Sequence, residues 1–329
     1  LSDVAKIAGV SVATASRALS NPDLVAENTR NAVRDAAASC GYKVNLVARS
    51  LRLQRTNTVL VLLPAFDNHF YPDVLRSMEE FAHDQGFSMI LGLTGKQENR
   101  ERNYMDLVVT QRVDGVIVLD DGVNQLQEGA AGLSVPMVQV LEGFCGDKVP
   151  MVGVDNRSLA TQVVRHLLEL DHRRIAHIAG HPGSIVAQHR KDGYANALQN
   201  AGVPPDDDYI VHGDYRQDSA IAAMHQLLSM RKPPTAVFCA NDASALGALR
   251  ACRMAGVRVP FDISIVGVDD IDDAVLCDPP LTTVRQPRGE IGKRAMETLI
   301  RAIRGHHVEP NVMLPTELIV RETTARPNA

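Results

Sequence analysis

The stretch Asp3-Val4-Ala5-Lys6-Ile7-Ala8-Gly9-Val10-Ser11-Val12-Ala13-Thr14-Ala15-Ser16-Arg17-Ala18-Leu19 decides how the chain begins. Val4, Ile7 and Ala8 stand at i, i+3 and i+4, the spacing of one helical face, and Ser2 is placed to cap that helix. Gly9 ends it. Ser11 is a good N-cap for a second helix, on which Ala15, Ala18 and Leu19 repeat the spacing and pack back on the first. Two short helices around a tight turn make a helix-turn-helix. A generic helical hairpin fits the same alanine-rich residues equally well, so the residues beyond Leu19 have to decide.

A major groove admits one α-helix and presents a distinct donor and acceptor pattern for each base pair. The second helix is the one to enter it, with Val12, Ala13, Ser16 and Arg17 outward and Val12 and Ala13 in its first turn. Arg17 is the candidate for a direct base contact, because its fork bonds O6 and N7 of guanine together. Val12 and Ala13 touch a thymine methyl at best, while Thr14 and Ser16 suit phosphate, which positions without reading sequence.

Charge favours the DNA reading. The net charge of the whole chain is −5, yet residues 1–55 carry eight Lys and Arg against four acids, net +4, which leaves −9 for the rest. A small basic head on an acidic body is what phosphate neutralisation by one domain requires. A third helix runs from about Glu27 to Cys40 on a stripe of Ala32, Val33, Ala36, Ala37 and Cys40, stopped by Gly41. Next, Asn45-Leu46-Val47-Ala48-Arg49-Ser50-Leu51-Arg52 holds one or two helical turns behind an Asn cap, too short to be stable alone. Against DNA, Leu51 suits a minor-groove wedge with basic neighbours on the phosphates. The plainer reading is a basic linker.

From Thr58 the texture changes. Thr58–Leu63 is a continuous β-branched and apolar run, the mark of a strand buried on both faces. Strands are expected at 88–93, 115–119, 136–140, 151–154, 175–179, 209–211, 236–240 and 263–268, separated by helices at 72–85, 100–110, 156–170, 186–201, 219–230 and 243–255. Such alternation makes parallel sheets covered on both faces, and so many strands imply two α/β subdomains with a break near Asp155.

Ligands in such sheets sit outside the carboxyl ends of the strands. The polar and aromatic residues there are Asp67-Asn68-His69-Phe70-Tyr71, Asp120-Asp121, Asp155, Asn241-Asp242 and Asp269-Asp270. Tyr215 follows a further strand, and Arg190 opens a helix. Together they suit a polyhydroxyl or heteroaromatic small molecule between two lobes. Taken singly, an Asp or Asn after a strand more often caps the next helix.

Other classes fit less well. No apolar run approaches a membrane span, and residues 1–20 lack the pattern of a secretory signal, so a cytoplasmic protein is expected. The five cysteines, Cys40, Cys145, Cys239, Cys252 and Cys277, have no CxxC spacing and read as reduced core thiols. His306-His307 reads as an exposed turn; no metal and no cofactor is expected. No GxGxxG follows the first strand and no nucleophile elbow appears, which speaks against an enzyme. The body alone would also suit a periplasmic-type small-molecule binding protein without DNA function, the alternative reading.

From Asp3 to Arg326 the chain resembles the lactose/galactose repressor family of bacterial transcription regulators. The stretches that carry the resemblance are DVAKIAGVSVATASRAL (3–19), NLVARSLR (45–52), PPTAVFCANDASALGAL (233–249), DISIVGVDD (262–270) and DPPLTTVRQP (278–287). The second half is most similar to the cytidine-repressor-like branch, whereas Val12-Ala13 is the pair of galactose-repressor-like recognition helices. The resemblance implies an all-α helix-turn-helix domain followed by an α/β periplasmic-binding-protein-like body of two parallel-sheet subdomains. Its expected divisions are a DNA-binding domain at 1–44 and a hinge helix and linker at 45–56. One effector-binding subdomain would be 57–154 with 286–313, and the other 155–285 with 314–329.

The resemblance also implies site roles. The DNA-binding set is Ser11, Val12, Ala13, Thr14, Ser16, Arg17, Asn45, Ala48, Leu51 and Arg52, with Leu51 the minor-groove lever of a pseudo-palindromic operator. The effector-binding set is Arg190, Asn241 and Asp269, with Tyr215 as the stacking aromatic and Phe70, Tyr71 and Asp120 from the other lobe. The leucine-heptad tail of tetrameric members is not present in 323–327, so a homodimer is expected. Two positions depart from the family: Val44 stands where a Pro precedes the hinge Asn, and Ala26 where a Ser caps the third helix, a loss of about 1 kcal/mol.

Overall fold

The computed structural model describes residues 1–20, 22–42, 55–66, 68–94, 104, 106–110, 112–119, 135–141 and 149–328. They fall into two compact units, Leu1–Thr56 and Asn57–Ala329.

The first unit holds helices α1 (Ser2–Ile7), α2 (Val12–Ser20) and α3 (Glu27–Ser39), with a 3-10 turn at Pro22–Leu24. Its core is small side chains, Val4, Ala5, Ala15, Ala18, Val33, Ala36 and Ala37, against which Leu19 and Tyr42 pack. Ala at the contact positions lets three short helices approach closely.

Several expectations shift by part of a turn. Ser2 is the first helical residue, Leu1 holds the cap position, and no side chain caps α1. Ile7 is 57% exposed and Ala5 takes its place in the core; at 100° per residue, Ala8 and Ala5 fall to one side of Val4 and Ile7 to the other, away from the core. Ala32 lies at the margin of the α3 stripe and is exposed, as is Cys40, which sits beyond the last turn and is therefore no core thiol. Gly9 and Gly41 follow their helices at φ of +66° and +63°, a conformation glycine adopts without steric cost.

The second unit contains two six-stranded sheets. The first has the order β11-β5-β4-β3-β1-β2, built from β1 (Thr58–Leu63), β2 (Ser88–Leu93), β3 (Gly115–Val118), β4 (Met137–Val140), β5 (Met151–Gly153) and β11 (Asn311–Met313). All its pairings are parallel. The second has the order β12-β10-β9-β8-β6-β7, from β6 (Ile175–Ala179), β7 (Ile210–His212), β8 (Ala236–Cys239), β9 (Ser264–Asp269), β10 (Thr282–Arg285) and β12 (Glu317–Ile319). It is parallel except that β12 runs antiparallel to β10.

Helices cover the sheets: α4 (Tyr71–Asp84), α5 (Asn156–Glu169), α6 (Ile185–Asn200), α7 (Gln217–Leu228), α8 (Asp242–Met254), the short α9 (Asp272–Leu276) and α10 (Arg288–Ile303). Of the helix expected at 100–110, residues 104 and 106–109 are helical. The strand series read from sequence stops at Val268, whereas β10, β11 and β12 complete the sheets. The chain passes from the first sheet to the second after β5, returns after β10 so that α10 packs on α4, and crosses again between β11 and β12. No helix among the described residues is long and apolar enough to cross a membrane.

Candidate functional site

In the first unit, the Ser11 side chain accepts from the Thr14 amide at 3.0 Å, the N-cap that starts α2. Ala15 and Ala18 face the core, which turns Ser11, Val12, Ala13 and Arg17 outward; Val12 is 47% exposed, and Thr14 and Ser16 are half-buried. An apolar side chain of that size left outside a well-packed helix pair suits contact with a base methyl. At α3, Ala26 holds the N-cap position without a side-chain bond. Asn45, Ala48, Leu51 and Arg52, with Val44, lie outside the described residues, as do Asp67, Asp120, Asp121 and Cys145.

In the second unit, the carboxyl ends of β6, β8 and β9 bring four of the expected residues into one group. Arg190 is buried in the second turn of α6 rather than at its opening. Its Nε donates to Asn156 Oδ1 at 2.8 Å, and its Nη1 donates to the carbonyl of Ala240, just past β8. Asn241 caps α8: its Oδ1 accepts from the Ser244 amide at 3.0 Å, and its Nδ2 donates to the Tyr215 carbonyl at 3.1 Å. Tyr215 stands at φ +67°, and its hydroxyl lies 3.2 Å from Ser184 Oγ, the cap of α6. The capping reading thus holds for Asn241, and for Asp155 at the start of α5.

Asp269 ends β9 at φ +121° and caps nothing. Its Oδ1 accepts from Gln286 Nε2 at 2.7 Å. Burial pushes its carboxyl up to about 6, against the pull of Arg190, the Gln286 amide and Arg288. Asp242 is buried beside it, accepting from Thr283 Oγ1 at 2.5 Å and from the Ile271 amide at 3.0 Å. Burial, then the neighbouring Asp269, drives the Asp242 carboxyl well up. With both oxygens engaged by the strand ends, Asp242 holds α8 to β9 and β10. Asp270 likewise meets Arg285 at 2.7 Å and Arg321 at 2.5 Å.

Phe70 and Tyr71 are 4% and 7% exposed, meet edge to face at 5.6 Å, and belong to the core packed under α4. The same core includes Tyr194, Phe238 and Val268 from the second sheet and its helices. What joins the lobes near them is polar. His69 Nδ1 lies 2.6 Å from Asp273 Oδ2 on α9. Arg288, at the first turn of α10, donates to the carbonyls of His69 and Asp270 and pairs with Asp73 at 2.9 Å.

Sequence alone does not mark Gln286 and Arg288, although the stretch DPPLTTVRQP contains one and borders the other. The pairing of β9 with β10 places Gln286 against Asp269, and the return of the chain to the first lobe places Arg288 against His69. Gln286 is buried, and its Oε1 accepts no hydrogen bond among the described residues, a cost unless something else donates to it. No cluster of three or more His, Cys, Asp or Glu suited to a metal occurs among the described residues.

Comparison with known proteins places relatives on both units of the chain. Residues 1–45 match the model of bacterial regulatory proteins of the lacI family, and residues 164–324 match a periplasmic binding protein-like domain. The HTH-type transcriptional repressor CytR of Escherichia coli (strain K12) is 38% identical over 98% of this chain and 96% of its own length. The lac repressor dimer bound to operator and the anti-inducer ONPF superimposes with a TM-score of 0.86 at 30% identity, covering 98% of each chain. The transcriptional regulator CelR-cellobiose complex is similar at a TM-score of 0.76 and 34% identity, again over 98% of both. Such full-length similarity, head included, favours a transcriptional regulator over a binding protein without DNA function. The chain belongs to the lacI family of bacterial regulatory proteins.

Proposed function

We propose that this protein is a cytoplasmic homodimeric repressor whose grip on a pseudo-palindromic operator is set by a small molecule held between its two α/β lobes. One observation carries the reading. A helix pair with Val12, Ala13 and Arg17 outward shares a chain with a lobed body whose strand ends gather Arg190, Tyr215, Asn241 and Asp269.

The proposed divisions follow the crossings: a DNA-binding head at 1–44, a hinge at 45–56, and two effector-binding subdomains, 57–154 with 286–313 and 155–285 with 314–329. In the head, Arg17 reads a guanine, and Ser11, Thr14 and Ser16 set the helix on the phosphates. Asn45, Ala48, Leu51 and Arg52 take the centre of the site, with Leu51 opening a base step. In the body, Arg190 and Asp269 bind the polar edge of a sugar or nucleoside, Tyr215 covers its flat face, and Asp120, Phe70 and Tyr71 shape the wall from the other lobe. A ligand that fits one lobe arrangement better than the other shifts the population and so changes operator affinity. No catalytic role is assigned.

The test is a fluorescence-anisotropy titration of the full-length protein on palindromic and scrambled duplexes over a range of salt, with and without a panel of sugars and nucleosides. The reading expects sequence preference, a steep salt dependence and at least one compound that alters the operator curve alone. Equal binding to every duplex, unaltered by every compound, refutes it.

A further inference from the structure

We propose that Gly180 is a specificity-determining residue of the interlobe cleft, acting as the seat of the Tyr215 phenol and through it setting the shape of the effector pocket. The proposal rests on the reading of the cleft as an effector site.

Tyr215 is held from three sides. Its backbone takes a left-handed conformation at φ +67°, which a bulky residue keeps only where its surroundings over-determine it. Asn241 Nδ2 holds its carbonyl at 3.1 Å, and Ser184 Oγ meets its hydroxyl at 3.2 Å. Both partners are helix caps, of α8 and α6, so the residue hangs between two rigid helix starts.

The third side is Gly180, the residue after β6. A Cβ built there would fall 2.6 Å from Tyr215 Cε2 and nearer still to Cζ and Oη, and real Cβ atoms essentially never come within 3.0 Å of a neighbour. The three nearest atoms are all from Tyr215, at the free end of its side chain. Gly180 itself is not in the left-handed region, so its backbone accepts an L side chain. Substitution therefore asks little of the fold and everything of the phenol. With the Tyr215 backbone pinned by Asn241, the ring yields by rotating off Ser184, away from the strand end and into the cleft. With the phenol seated, the pocket keeps its width for a flat ligand, a nucleoside base or a pyranose face; with it displaced, that width is lost.

The test has two readouts on the full-length protein. The chain has no tryptophan, so Tyr215→Trp supplies a single reporter in the ligand-free state. Adding Gly180→Ala is expected to red-shift its emission and increase quenching by acrylamide, while the thermal midpoint stays within about 2 °C, because only a side-chain tip moves. Unchanged emission overturns the seat, as does a large fall in midpoint without a change in emission.

The second readout is a thermodynamic cycle with the pyranosides and ribonucleosides that bind the wild type. Gly180→Ala should weaken them about tenfold or more in a Tyr215 background and by less than about twofold once Tyr215→Ala has removed the phenol. Equal losses in both backgrounds, or binding unaffected by Gly180→Ala, overturn the proposal and leave the effector reading standing. A wild type that binds no pyranoside or nucleoside overturns the effector reading and the specificity role with it.

Discussion

Gln286 Nε2 donates to Asp269 Oδ1 at 2.7 Å, and both side chains are buried where β9 and β10 end side by side. The bond joins a residue that ends the second lobe's inner strand to the first residue of the return crossover. It makes Asp269 the most informative position for titration, because its carboxyl is pushed up by burial to about 6 and only partly pulled back by Arg190 and Gln286.

A raised carboxyl pKa means that the native state holds its proton up to about pH 6, while the unfolded chain releases it near 4. Stability from this group is therefore present below that window and falls as pH rises through it, by up to about 3 kcal/mol. Asp269→Asn should flatten the fall between pH 4 and 6 in urea melts and abolish effector response in operator binding. An unaltered pH profile removes Asp269 from the titration.

His177 works in the opposite direction. Its ring lies between Phe238 and Tyr194, stacked at 4.4 Å and 5.4 Å, and its Nδ1 donates to the Phe238 carbonyl at 2.9 Å. Burial holds the imidazole neutral and lowers its pKa to about 4. The unfolded state binds the proton first, so stability is lost as pH falls from about 6.5 to about 4, by up to about 3 kcal/mol. In His177→Phe that acid loss should shrink; chemical denaturation at pH 4.5 and 7 measures it.

Arg17→Ala is expected to cost about 1–3 kcal/mol on the operator and much less on scrambled DNA, relaxing preference at one base pair. Competition binding against duplexes substituted at each position locates that pair. Losses of equal size on every duplex would move Arg17 to the phosphates.

Ser11→Ala removes the cap of α2 and should destabilise the head by about 1 kcal/mol, whereas Ser11→Gly should cost only a few tenths. Thermal melts followed by helical circular dichroism separate the two, and midpoints equal to that of the wild type in both variants would show that the cap contributes nothing.

Arg288→Met keeps the apolar stem but strips the guanidinium from Asp73 and from the carbonyls of His69 and Asp270. Loss of charged hydrogen bonds with little exposure should cost on the order of 2 kcal/mol and alter how strongly an effector changes operator affinity. A melt and paired operator titrations check both. Unchanged coupling with reduced stability would make Arg288 a structural clamp only.

Much of the architecture is legible along the chain, because β-branched runs and the i, i+3, i+4 spacing are local signals. Thr58–Leu63, Glu27–Ser39 and Asn156–Glu169 form nearly where their residues place them. Expectation and structure part where burial depends on the angle at which one element meets another. Ile7 faces solvent while Ala5 is buried, and Phe70 and Tyr71 are buried in an apolar core. Arg190 is legible as a candidate site residue, yet its hold on Asn156 and Ala240 is not, since those partners lie 34 and 50 residues away.

Residue order alone determined the helix pair with its Ser11 cap, the basic head, the alternation of strands and helices, and the polar residues at strand ends. Each of these depends on interactions within a few residues. Only the folded chain decided that Gln286 would meet Asp269, that Arg288 would tie α4 to α9, and that Gly180 would lie under Tyr215. Those meetings arise from the pairing of β9 with β10, from the pairing of β6 with β7 and from the return of the chain to the first sheet, and side chains brought together in these ways carry no periodic mark in the sequence.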